Sequence, residues 1–208
     1  ASGKILIGLD ATNAGLARYD GHRVAHFAPG TEHPLPLADV DVTALARDER
    51  SLWVGTSSGL NRLDRNSGRF QLTRFGDSAS NFISRIVSGR GGVLWLATGG
   101  GVIRHDPKTG AFKRFSHDPA NPDSRSVNST SVILEDHTGR VWAGGAYDGG
   151  GLDVLDPATG KFRHYRHDPD NPASLSDDRI TALFEDKQGT LWVNTLKNLD
   201  RVIPTPNG

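Results

Sequence analysis

Cysteine and methionine are both missing from the 208 residues. Without cysteine, disulfides, thiolate nucleophiles and cysteine-ligated zinc are excluded, and the compartment stays open. Without methionine, even at the start, the chain reads as a processed product or a piece of something longer. No apolar run approaches the roughly 20 residues of a membrane span, and no signal peptide is present. An exported chain would already have lost its targeting segment. Neither sign of charge is in excess, since Lys+Arg and Asp+Glu number 24 each. With no basic block, a nucleic-acid partner lacks its electrostatic footprint. Aromatics make up only 7%, against 25 glycines, 11 prolines and 36% hydrophobic residues. That is a turn-dense globular composition, large enough for one sizeable core or two small ones.

What is present is repetition. The four tryptophans set the register: "LWVGTSSGL" from Leu52, "LWLATGGGV" from Leu94, "VWAGGAYDGGGL" from Val141 and "LWVNTLKNL" from Leu191. Trp53, Trp95, Trp142 and Trp192 stand 42, 47 and 50 residues apart. A fifth copy without tryptophan opens the chain, "ILIGLDATNAGL" from Ile5. After each such strand comes an alternating run ending in Asp ("LNRLD", "VIRHD", "LDVLD", "LARYD"), then a turn, then a strand with aromatics three apart ("FQLTRF", "FKRF", "FRHY"). A polar linker leads to a further alternating run, such as "VTALARD" or "ITALFEDKQG", which feeds the next copy. In "DPKTG" and "DPATG", Pro107 and Pro157 preset φ, while Gly110 and Gly160 can take the positive φ of a tight turn.

Each copy therefore predicts four short strands with period-two alternation, and no segment has a convincing helical period. Units of about 40–50 residues, each a four-stranded antiparallel sheet and radially repeated, describe an all-β fold, a β-propeller of about four to five blades. The copies span approximately 1–27, 40–75, 82–116, 130–166 and 179–203. About eighteen strands make four and a half blades, so the chain starts and stops inside a blade. Two readings stay open: a partial propeller that is part of a larger one, or closure by a partner chain along exposed blade edges.

The phrases "HDPDNPASLSDDRITALFEDKQGTLWVNT", "HDPANPDSRSVNSTSVILEDHTGRVWAGG" and "LWVGTSSGLNRLDRNSGRF" closely resemble the two-component regulator propeller repeat. Those repeats build the sensor regions of bacterial hybrid histidine kinases and of some diguanylate cyclases. The resemblance extends over essentially the whole chain. It departs at Leu6, where tryptophan is usual, at Ser88-Gly89 in place of Glu-Asp, and at Arg50 in place of Gly. It implies a periplasmic ligand-sensing module of an inner-membrane sensor, often for carbohydrate fragments. A transmembrane helix and cytoplasmic signalling domains would be attached, none of which is in this sequence. Such regions usually have many more repeats, which favours the fragment reading. A small-molecule or oligosaccharide ligand and a neighbouring propeller or second protomer are the partners it suggests; no cofactor, metal or membrane contact of this segment is expected.

Candidate sites divide into what recurs and what does not. The linkers His117–Pro122 and His167–Pro172 share the pattern His-Asp-Pro-x-Asn-Pro, so they read first as architecture, with Asp and Asn closing Asx turns. Asp168, Asp170 and Asn171 lack the full oxygen loop of a calcium module. His164 and His167 are offset to opposite faces of a strand and have no third ligand. Glu135-Asp136 and Glu185-Asp186 read as turn and cap groups. Trp53, Trp95, Trp142 and Trp192 read as packing between blades. "NST" at Asn128 is a chance sequon match. No nucleophile or phosphate-loop motif is present.

The individual features are the loops between second and third strands. From Gly55 to Leu60, Ala97 to Val102 and Asn194 to Leu199 the step is five residues, but it is eight from Gly8 to Leu16 and from Gly144 to Leu152. The insertions bring Asp10, Thr12 and Asn13 in one copy, Tyr147 and Asp148 in the other. With Lys197 and Asn198 of the last copy, they are the predicted ligand-binding residues, because loops on a rigid scaffold carry recognition and an aromatic beside a carboxylate suits a sugar. The alternatives are a propeller lyase or hydrolase acting on a saccharide or lactone with acids such as Asp10 or Asp148, and a scaffold that associates with itself or another protein.

Overall fold

A computed structural model describes residues 5–9, 15–19, 21–27, 41–64, 67 and 69–202. Within them the chain forms β-meander blades in sequence order. Blade 1 has β1 (Ile5–Leu9), β2 (Gly15–Tyr19) and β3 (Val24–Phe27). Blade 2 has β4 (Val42–Arg47), β5 (Ser51–Thr56), β6 (Gly59–Asp64) and β7 (Phe70–Thr73). Blade 3 has β8 (Ile83–Ser88), β9 (Leu94–Thr98), β10 (Gly101–His105) and β11 (Phe112–Phe115). Blade 4 has β12 (Val132–Glu135), β13 (Val141–Gly144), β14 (Leu152–Asp156) and β15 (Lys161–Tyr165). Blade 5 has β16 (Ile180–Glu185), β17 (Leu191–Thr195) and β18 (Leu199–Val202). Every pairing is antiparallel, and the first strands of blades 2 to 5 lie side by side. This is the all-β propeller architecture that the repeat implied. The one α-helix of the described residues, α1 (Ser78–Asn81), lies in a linker and is capped by Asp77; a 3-10 turn at Arg90–Gly92 lies between β8 and β9.

The core is not one mass but a series of layers between blades. Second strands are buried on both faces, and alternation divides their side chains between two layers. Leu52 and Val54 pack back toward Leu16 of blade 1, while Trp53 packs forward with Ile83, Leu94 and Leu96 of blade 3. Trp95 and Ala97 then point forward against Ile133, Val141 and Leu155 of blade 4. Trp142 repeats the step against Ile180, Leu191 and Val193 of blade 5. Trp53, Trp95 and Trp142 are at most 2% exposed, as inter-blade packing requires. Trp192 sits at the same register but is only half-buried, and Phe184 and Leu199 on its face are 62% and 61% exposed.

Close approach explains the residue two after tryptophan. A Cβ on Gly55 would lie 2.8 Å from Cγ2 of Ile83, and one on Gly144 would lie 2.8 Å from Cβ of Ile180. The next blade's isoleucine therefore needs glycine at these two positions; beside Ala97 of blade 3 the residue matching Ile180 is Thr130, whose N donates to the Thr98 carbonyl as that of Ile180 does to Gly145. The turns after the third strands match their predicted chemistry, with Gly110 and Gly160 at φ 77° and 76°.

The buried indole N–H groups need acceptors. In blades 2, 4 and 5 the acceptor is the aspartate of the blade's own first turn: Asp48 to Trp53 at 2.9 Å, Asp136 to Trp142 at 2.7 Å, Asp186 to Trp192 at 2.9 Å. Blade 3 has Gly89 there, and Trp95 donates instead to Glu135 of the next blade at 2.7 Å. A Cβ at Gly89 would meet that carboxylate at 2.4 Å, so the missing side chain is what admits it. Glu135 also accepts from the Arg90 backbone N–H, and Glu185 accepts from that of His137 at 2.9 Å. The Glu-Asp pairs are thus turn groups, as expected, but their glutamates reach further: they fasten each blade to the turn of the one before.

Burial pushes the Asp136 carboxyl up, but hydrogen bonds from Thr138, Trp142 and the turn backbone outweigh it and leave it below the ordinary value. The Trp192 bond is the largest of the effects that lower Asp186. Carboxyls with folded values below their unfolded ones stabilise above about pH 4 and lose that contribution as pH falls through the folded value. Burial holds the His105 imidazole below its ordinary value, so urea unfolding should give a free energy that declines as pH falls below about 6.5 and declines further below about pH 4, with a shallower acid fall in Asp136→Asn. In the same assay at pH 7, Trp95→Ala and Trp142→Ala should each cost about 3–5 kcal/mol, and Trp192→Ala clearly less.

Candidate functional site

The first-turn and third-turn connections lie on one face of the blades; the second-turn loops and the linkers lie on the other. On this loop face the two His-Asp-Pro-x-Asn-Pro linkers fold almost identically. Asp118 Oδ1 accepts from Ala120 N at 3.0 Å and Asn121 Oδ1 from Asp123 N at 3.0 Å. Asp168 Oδ1 and Asn171 Oδ1 do the same for Asp170 N and Ala173 N, both at 3.0 Å. Ser124 and Ser174 each close the turn through the backbone of Asp118 or Asp168. His117 and His167 each meet a linker carbonyl through Nδ1, that of Arg125 at 2.7 Å and of Leu175 at 2.6 Å. The oxygen-rich run at 168–171 is engaged with its own backbone. Among the described residues, no group of three His, Asp or Glu side chains is gathered as for a metal ion.

One cluster carries the residue types of a hydrolase relay. Asp153 Oδ1 contacts His164 Nδ1 at 2.7 Å and accepts from Ser126 Oγ at 2.5 Å, while Ser126 Oγ lies 2.9 Å from the same Nδ1. A nucleophile relay needs aspartate on one ring nitrogen and serine on the other. Here Nε2 faces the Pro122 carbonyl at 3.1 Å, so the trio is a linker clasp. Arg125, 2% exposed, donates to Asp153 Oδ2 at 3.1 Å and to Thr130. Burial pulls Arg125 below its usual value, with Asp153 opposing. In the twin linker Leu175 replaces the arginine, and Ser176 alone donates to Asp200, by N at 2.8 Å and by Oγ at 2.9 Å.

Of the predicted ligand residues, Asp10, Thr12 and Asn13 lie outside the described residues. Tyr147 and Asp148 stand exposed on the loop between β13 and β14. Tyr147 is 85% exposed, yet its loop is tied down. The Gly149 carbonyl accepts from Arg166 Nη1 at 3.0 Å, Gly151 N donates to the Asp178 carbonyl at 2.9 Å, and Ala146 N donates to Ser131 Oγ at 3.3 Å. A Cβ on Gly150 would meet Val127 at 2.3 Å, so the loop lies flat on the preceding linker. Lys197 and Asn198 form the next blade's turn. The Asn198 carbonyl accepts from Thr195 N at 2.9 Å and from Thr195 Oγ1 at 3.0 Å, as Gly59 and Gly101 do for Thr56 and Thr98, which gives Asn198 a turn role.

Between these two loops runs the segment 174–180, which leads from the linker into β16. Arg179 Nε and Nη2 clasp the two oxygens of Asp177, both at 2.9 Å, and Lys197 Nζ is 3.9 Å from the same carboxylate. Hydrogen bonds from Arg179 hold Asp177 far below the usual carboxylate range. The spacing could have flagged the pair, since residues two apart in an extended segment share a face.

Residues 174–197 match the sequence profile of the two component regulator propeller, so the repeat resembled by the sequence is present in this chain. No curated protein matches. The fold is similar to the extracellular domain of the hybrid two component system BT4673 from B. thetaiotaomicron, with TM-score 0.77 and 23% identity over 97% of this chain and 26% of that one. For the corresponding domain of BT3049 from the same organism the values are 0.64 and 24% over 77% of this chain and 23% of that one. Virginiamycin B lyase from Staphylococcus aureus gives 0.65 and 14% over 99% of this chain and 68% of that one. The chain spans about a quarter of the length of the two-component domains.

The clasp allows a direct test by urea unfolding. Arg125→Leu, the residue of the twin linker, takes the cation from the buried Asp153 and leaves it only Ser126 and His164, so it should cost about 3 kcal/mol. Asp153→Ala strands the arginine unpaired and should cost about 3–5 kcal/mol.

Proposed function

We propose that the chain is a ligand-sensing propeller module from the extracytoplasmic part of a bacterial two-component signalling protein, taking a saccharide fragment on the loop face of blades 4 and 5. The observation that carries this reading is Tyr147, a large ring left 85% exposed on a loop held by hydrogen bonds at Ala146, Gly149 and Gly151. Folding gains nothing from exposing that ring, whereas a fixed aromatic with polar neighbours is suited to stacking on a pyranose and orienting its hydroxyls. The repeat type and the fold shared with extracellular sensor domains support the sensor class.

Signalling would follow if the ligand binds one association state better than another. The exposed face bearing Phe184, Leu199 and Trp192 supports a neighbour there, a further propeller element or a second protomer, since the equivalents of Leu199 in blades 2, 3 and 4 (Leu60, Val102 and Leu152) are 0% exposed. Virginiamycin B lyase shares the fold, so turnover of a bound ligand would turn the assignment toward an enzyme.

The test is a thermal-shift screen of oligosaccharides. A binding sugar should raise the midpoint by several degrees at 100-fold excess over Kd, and Tyr147→Ala should abolish the shift while leaving the unliganded midpoint within about 1 °C. A shift that survives in the variant would place the site elsewhere.

A further inference from the structure

We infer that the ligand of this loop face carries a carboxylate, as in a uronic acid residue, and that Arg179 and Lys197 recognise it; this rests on the saccharide reading above. Three backbone hydrogen bonds set the parts side by side. Ile180 N donates to the Gly145 carbonyl at 3.0 Å, Gly151 N to that of Asp178 at 2.9 Å, and Leu196 N to that of Arg179 at 3.1 Å. The Tyr147 loop, the Asp177–Arg179 segment and the Lys197 turn are therefore consecutive ridges of one surface.

Their charges do not cancel. Asp177 has a side chain only 8% exposed and is flanked by two cations whose side chains are 47% and 56% exposed, Arg179 and Lys197. Asp177 engages Nε and Nη2 of the guanidinium, and Nη1 takes no part in that clasp. Lys197 at 3.9 Å is beyond hydrogen-bond reach of Asp177, so its three donors are not committed to it. The result is an arginine fixed in orientation by a buried acid, with one surplus positive charge beside it, which is the arrangement that favours charge-assisted bonding to a carboxylate. Asp178 carries a further negative charge but is half-buried and turned to the linker, its Oδ1 accepting from His167 N at 2.7 Å. Asp148, exposed next to Tyr147, disfavours an acid stacked on the ring itself. A single uronate beside a neutral sugar fits both.

The fold does not require these groups. The twin linker makes the same turns with Val127 and Ser129 where Asp177 and Arg179 stand, and the turns equivalent to Lys197 carry Ser58 and Gly100. The matching bonds confirm the alignment: His117 N to Asn128 Oδ1 at 2.6 Å and His167 N to Asp178 Oδ1 at 2.7 Å.

The experiment is calorimetry of the chain with aldotetraouronic acid (one glucuronate on xylotriose), with its methyl ester and with xylotriose. The acid should bind about tenfold tighter than the ester, and the preference should shrink from 50 to 300 mM NaCl. It should fall below threefold in Arg179→Gln and in Lys197→Met. The double variant Asp177→Val, Arg179→Ser, built from the twin linker's residues, should keep the native melting profile and also lose the preference. Equal binding of acid and ester, lost in Tyr147→Ala, would overturn the carboxylate and leave the saccharide reading standing. A preference that persists in Arg179→Gln combined with Lys197→Met would overturn the assignment to these residues. Failure of all three sugars would overturn the inference.

Discussion

The fold depends on one constraint: a strand buried on both faces must serve two layers at once. In β9, period-two alternation sends Leu94 and Leu96 back to blade 2 and Trp95 and Ala97 forward to blade 4. Each inter-blade layer therefore takes half its residues from one blade and half from the next, and no blade has a core of its own. A single meander would expose both apolar faces, so stability arises only in the stack. The same constraint sets the spacing. In blades 2 and 4 the glycine two residues after the tryptophan admits the isoleucine of the following blade. Asn194 occupies that position in blade 5, exposed and donating to Thr181 Oγ1 at 2.6 Å, so the outer face of blade 5 differs from the three internal seats in shape and polarity.

Around the turns, polar groups fasten the stack where apolar packing ends. Each buried indole N–H has a carboxylate, and the third copy shows how strict the requirement is. With no aspartate in its turn, blade 3 takes the acceptor from blade 4, and the glycine that removed one acceptor also makes room for the other. A departure that looks like decay of the repeat is a local exchange between neighbours, in which the indole keeps its hydrogen bond and a different residue supplies the accepting carboxylate.

Much of this was legible beforehand, and the limits follow a physical rule. Strand number, turn glycines, the blade order and the burial of Trp53, Trp95 and Trp142 follow from periodicity, because they are set by each copy alone. The reach of Glu135 and Glu185 into the preceding blade was not legible, since it depends on which residues stacking brings together across more than 40 positions. Lys197 and Asn198 were drawn from the same turn for recognition; the structure exposes the lysine and folds the asparagine backbone into a glycine-type turn. Arg179 was not legible, because the comparison that singles it out, Val127 and Ser129 at the matching positions, needs the register that the two histidine bonds supply.

Repetition also bears on where function can sit. A residue that recurs at every junction is constrained by the junction, as the His-Asp-Pro-x-Asn-Pro turns show by making the same bonds twice. The Ser126–Asp153–His164 trio extends the point: its residue types suggest chemistry, but Nδ1 of the ring is taken by Asp153, Nε2 faces a linker carbonyl, and the carboxylate is buried with Arg125. Recognition requires groups that the scaffold positions yet does not consume. Tyr147 and Lys197 meet that condition on turns whose backbone bonds are complete without their side chains, and Arg179 meets it because Asp177 orients the guanidinium through one edge only. A propeller can therefore change its ligand by altering a few loop positions while every layer beneath them stays as it is.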